Sequence, residues 1–62
     1  MYGFMTSFTR RDGKPREEYY YFGLKEATYH MNLFKDDDSC LYTIVEVIDL
    51  ENMKQISVLN FQ

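Results

Sequence analysis

The chain reads as a small α+β domain: a two-layer sandwich of order ββαββ, with one helix laid on a four-stranded, mainly antiparallel sheet. Three observations predict it. Apolar and polar residues alternate through residues 2–9, helical spacing replaces that alternation between Leu24 and about Lys35, and β-branched residues crowd the stretch from Leu41 to Leu50. The length of 62 residues fits a single domain spanning 1–62, with a thin core.

The first strand places Tyr2, Phe4, Thr6 and Phe8 on one side of an extended chain and Gly3, Met5, Ser7 and Thr9 on the other. Asp12-Gly13 then signals a turn, since glycine accepts positive φ without steric cost, and Pro15 confirms a loop. Glu17–Phe22 has the β-formers of a returning strand, so residues 2–22 form a hairpin. After Gly23, the residues Leu24, Ala27, Met31 and Phe34 make one buried helical stripe, bordered by His30. The carboxylates Asp36, Asp37 and Asp38 oppose the negative end of the helix dipole and stop it.

Leu41–Leu50 forms the third strand, Asp49–Lys54 a polar connection, and Ile56, Val58, Leu59 and Phe61 the last strand. The helix crosses over between the hairpins and brings the third strand back in the direction of the second. With the third strand beside the first, the sheet order is 2-1-3-4 and wholly antiparallel. The order 2-1-4-3 ranks second.

One helix covers one face of such a sheet, yet both faces of its strands carry apolar side chains. Leu41, Val45 and Val47 oppose Tyr42, Ile44, Ile48 and Leu50; Ile56 and Val58 oppose Leu59 and Phe61; Tyr19 and Tyr21 oppose Tyr20 and Phe22. An uncovered apolar surface on a small domain marks an interface. The candidate protein-contact residues are therefore Tyr19, Tyr21, Tyr42, Ile44, Ile48, Ile56 and Val58, joined by Tyr29 and Leu33, an i, i+4 pair on the helix away from the core stripe. The partner is another protein or a second copy of the chain. Alternation leaves open which set faces outward, because a one-residue shift of register exchanges them.

The rival reading is a nucleic-acid contact. Arg10, Arg11, Lys14 and Arg16 are four of the seven basic residues and sit beside Tyr19–Tyr21, a pairing that single-strand binders use. Against it stand ten acidic residues, a net charge of −3, and the interleaved Asp12, Glu17 and Glu18, which offer the arginines ion-pair partners inside the hairpin.

No cofactor or metal is expected. The chain lacks phosphate-binding glycine patterns and zinc-ligand spacing, and Asp36–Asp38 lacks the alternation and distal glutamate of a calcium loop. The only thiol, Cys40, and the only imidazole, His30, fall on the order of 10 Å or more apart along the predicted helix, beyond hydrogen-bond reach. A non-enzymatic role follows. A single cysteine precludes an internal disulfide, and Met1–Met5 has no signal-peptide character, so a cytoplasmic location is expected.

Overall fold

The structure, a computed structural model, describes residues 2–36 and 41–61. Five elements follow in chain order: β1 (Phe4–Arg10), β2 (Glu17–Tyr21), α1 (Leu24–Asn32), β3 (Tyr42–Asp49) and β4 (Lys54–Asn60). The sheet order is β2-β1-β3-β4 and every neighbouring pair is antiparallel, the first of the two orders expected. Asp37, Asp38 and Cys40 lie outside the described residues.

Both hairpin turns are built by side-chain capture of backbone donors. Asp12 Oδ1 accepts from the Lys14 amide at 3.0 Å while Gly13 adopts φ 82°, the left-handed conformation glycine supplies cheaply. At the other end of the sheet Asp49 Oδ1 accepts from the amides of Glu51 and Asn52 at 3.0 and 3.3 Å. That second turn forces Met53 to φ 51°, unusual for a residue bearing a Cβ.

The covered side of the sheet is set by register. Phe4, Thr6 and Phe8 pair with Tyr21, Tyr19 and Glu17 on one flank and with Asp49, Val47 and Val45 on the other. Opposed residues share a face, and Ala27, Met31 and Phe34 pack onto this one. Phe8, only 1% exposed, is the centre. Its ring lies 5.6 Å from Tyr19, 4.8 Å from His30, 5.0 Å from Phe34 and 5.1 Å from Tyr42. Thr6 Oγ1 ties the strand to the helix by donating to the Ala27 carbonyl at 2.8 Å.

The geometry corrects five expectations. Tyr19, Tyr21 and Tyr42 belong to the helix side, not the uncovered one. For Tyr42 the reason is a bulge: the register slips between Thr9 and Arg10, so that Ile44 opposes Thr9 but Tyr42 opposes Arg10. The extra residue, Thr43, turns Tyr42 onto the face of Val45. Leu24 remains 39% exposed; at 100° per residue it stands about 60° from Ala27 on the helix, farther than Met31 or Phe34. The helix ends at Asn32 rather than near Lys35, because the Phe34 and Lys35 amides bond three residues back, to Met31 and Asn32, and tighten the chain into turns.

Phe8→Ala should cost about 3–5 kcal/mol, comparable to the whole stability of a domain this size. A thermal melt by circular dichroism should show the variant largely unfolded at room temperature. Phe34→Ala, whose ring is only partly buried, should lower the midpoint while leaving a cooperative transition.

Candidate functional site

The face of the sheet away from α1 has no layer over it among the described residues. Three rows cross it by register. Tyr20, Met5, Ile48 and Gln55 form the first; Glu18, Ser7, Glu46 and Val58 the second; Thr9, Ile44 and Asn60 the third. Of the sequence-predicted contact residues, Ile44, Ile48 and Val58 are brought together here. Ile56 is the extra residue where the β3–β4 register slips between Val47 and Ile48, and it is exposed.

The middle row is polar, which the apolar pattern of the flanking strands did not announce. Ser7 is fully buried although no layer of the described residues covers it, and the longer side chains of Glu18 and Glu46 stand at the two opposed positions beside it. Among the described residues its hydroxyl has no hydrogen-bond partner. Glu18 accepts from the Tyr20 hydroxyl and from Arg16, both at 3.2 Å, and Glu46 accepts from Gln55. At the Gly3 end of the face an aromatic group gathers: Tyr2 stacks on Phe22 at 4.7 Å and leans on Tyr20 at 6.0 Å. Sequence reasoning missed Met5, Ser7, Glu18, Tyr20 and Glu46. The alternation Met5-Ser7-Thr9 was the available signal for three rows centred on small or flexible residues.

The helix side offers a second surface. Tyr21, Lys25, Glu26, Tyr29, His30 and Leu33 line an open groove of about 650 Å³ between α1 and β2. Tyr29 is 66% and Leu33 60% exposed, and both belong to this groove rather than to the open face. His30 forms its floor, with Nδ1 2.6 Å from the Tyr21 hydroxyl. Burial pushes the imidazole pKa below its ordinary 6.5, against a smaller opposing pull from Glu17. Nδ1 and the Tyr21 hydroxyl share this hydrogen bond, whose direction follows the tautomer of the imidazole.

Two of the four basic residues of the hairpin, Arg10 and Arg16, form ion pairs within it. Arg10 meets Asp12 and Glu17, each at 2.8 Å, and Arg16 meets Glu18 at 3.2 Å. The Arg10 hydrogen bond holds the Asp12 and Glu17 carboxyls below the usual carboxylate range. Glu17 also accepts from the hydroxyls of Tyr42 at 2.9 Å and Tyr19 at 3.3 Å. Burial, then this bond to Glu17, pushes the Tyr42 hydroxyl up to about 12. Arg11 reaches the carbonyls of Tyr42 and Phe61 at 3.3 and 3.4 Å, stitching the end of β1 to β3 and to the residue after β4. Only Lys14 of the cluster contributes its backbone alone to these bonds.

Among the described residues no group of three or more His, Cys, Asp or Glu side chains could hold a metal ion, and no helix is long and apolar enough to cross a membrane. Comparison with known protein families, curated proteins and solved structures gives no match.

His30 makes the fold sensitive to mild acid. Its folded pKa lies below the unfolded value, so between the two the unfolded chain binds more protons and stability falls as pH drops below about 6.5. Carboxylates titrate lower, which leaves the interval from pH 6.5 to about 5 to the only imidazole. The melting temperature should decline across that interval, and His30→Gln should flatten the decline.

Proposed function

We propose that this chain is a non-enzymatic protein-interaction module that works through its open sheet face. The observation that carries the reading is Ser7: a buried hydroxyl without a partner, in the centre of a face that carries Met5, Ile44, Ile48 and Val58 and has no covering layer among the described residues. A buried polar group left unmatched costs about 1–3 kcal/mol. A partner that parts the Glu18 and Glu46 side chains, sets a polar group against Ser7 and covers Met5, Ile44, Ile48 and Val58 removes that penalty and buries the surplus surface together. A heterologous protein fits better than a copy of the same face, because two stacked copies would bring four glutamates of the middle rows into one interface.

The nucleic-acid alternative, through Arg10, Arg11, Lys14 and Arg16, receives no support from the ion pairs just described. Contacts already made to Asp12, Glu17 and Glu18 must be broken before Arg10 or Arg16 can neutralise phosphate.

Ser7→Ala should raise the free chain's stability by about 1 kcal/mol, equivalent to a midpoint roughly 4–8 °C higher for a domain of this size, and should weaken partner capture. Ile48→Glu should abolish capture of a partner that wild type and Leu33→Glu both retain. Equal loss with Ile48→Glu and Leu33→Glu would move the interface off this face. Short single- and double-stranded oligonucleotides should show no binding at physiological salt; micromolar, salt-sensitive binding that falls with Arg11→Ala and Arg16→Ala would reinstate the alternative.

A further inference from the structure

The free edge of β2 is self-complementary. The Tyr21 carbonyl accepts from the Gly3 amide at 3.0 Å and so faces β1. Backbone groups along a strand alternate between its two sides, which turns Glu17, Tyr19 and Tyr21 inward and leaves the N–H and C=O of Glu18 and Tyr20 directed at the free edge. An antiparallel strand added there must place its own outward residues opposite these two.

Three registers satisfy that condition when the added strand is β2 of a second copy. One sets Glu18 against Glu18, like charges directly opposed, which destabilises a pair. Another sets Tyr20 against Tyr20 and runs Glu17 past the strand into the turn. The third sets Glu18 against Tyr20, Glu17 against Tyr21, and Tyr19 against itself, using all five residues of Glu17–Tyr21. In it every carboxylate faces a phenol and no charge meets its like. Continued by one residue, the same register puts Arg16 opposite Phe22 of the second copy, an exposed ring suited to a guanidinium.

We infer that β2 pairs antiparallel with β2 of a second copy about a twofold axis at Tyr19, joining two sheets into one of eight strands. The helix-side groove gives the pairing its apolar component. A twofold perpendicular to the sheet keeps both α1 helices on the same side, so the grooves lined by Tyr21, Tyr29 and Leu33 open toward each other across the joint. Tyr29 and Leu33, exposed in the single chain, then cover one another. The other edge is less suited. In β4 the register slip at Val47/Ile48 interrupts the ladder, and bulges discourage edge pairing. On the open face the pairing engages only the β2 margin, through Glu18 and Tyr20, and leaves Ile44, Ile48 and Val58 uncovered, so it can be tested apart from the partner proposed for that face.

Sedimentation equilibrium of the full chain at tens of micromolar should show a species of twice the 7.5 kDa chain mass. Tyr20→Glu, which sets a carboxylate against Glu18 of the second copy, should dissociate it; Tyr20→Lys, which sets an ammonium there, should retain it. Far-UV circular dichroism should show both variants folded. Ile48→Glu should leave the mass unchanged even where it abolishes capture of another protein. In a Cys40→Ser background, Tyr19→Cys should cross-link into a disulfide dimer on mild oxidation, since directly opposed residues in a non-hydrogen-bonded pair stand about 4.5 Å apart at Cα. A monomeric wild type, or dissociation by Tyr20→Lys as complete as that by Tyr20→Glu, would overturn the pairing. Dissociation by Ile48→Glu would replace it with association through the open face.

Discussion

The packing of Phe8 is the constraint on which the rest of the structure depends. Its ring is the one place where β2, β3, α1 and the turn after α1 all meet, through Tyr19, Tyr42, His30 and Phe34. Edge-to-face and tilted contacts of this kind suit rings whose faces are negative and edges positive. Small domains have few fully buried side chains to share the burden. Here Phe8, Val45 and Val47 are the largest fully buried side chains, and Thr6 adds a hydrogen bond that ties the helix to β1. The position of α1, the neutral state of His30 and the groove beside β2 follow from that arrangement.

A nine-residue helix spans about 13 Å and can dress only one side of a four-stranded sheet. The consequence on the other side is graded rather than uniform. Residues of β1 are hidden even without a covering layer, because β1 is central and its neighbours carry longer side chains; Met5 and Ser7 are buried while Tyr20 and Val58 are not. The face thus sets Met5, Ile44, Ile48 and Val58 around the polar Glu18, Ser7 and Glu46, a surface that selects its partner by chemistry as well as by area.

Charge in this protein is organised for cohesion. Glu17 gathers Arg10, Tyr42 and Tyr19 onto one carboxylate, and Arg10 spans from that carboxylate to Asp12 in the turn. The hairpin tip, which in the bare sequence resembles a phosphate-seeking cluster, is a local network in which Arg10 and Arg16 already have carboxylate partners. What remains outward on β2 is a pattern of two glutamates followed by three tyrosines, a pattern that answers itself when reversed.

The two periodicities of side-chain placement, 2.0 along a strand and 3.6 along a helix, together with the Asp12-Gly13 turn signal, were enough for the sequence alone to determine the order ββαββ, the first hairpin, and the separation of Phe4, Thr6 and Phe8 from Met5 and Ser7, while the strand order was narrowed to 2-1-3-4 ahead of 2-1-4-3 and settled by the structure. Ile44, Ile48 and Val58 could be named as surplus apolar residues for the same reason. Which residues share a face across strands was decided only by the tertiary structure. The slip at Thr9/Arg10 moves Tyr42 to the helix side, and a bulge is one extra residue with no compositional mark. The burial of Ser7 likewise depends on Glu18 and Glu46, which lie 11 and 39 positions away in the chain and reach its flanks only through register. Local spacing determines what each element is; pairing between distant segments decides what each side chain meets.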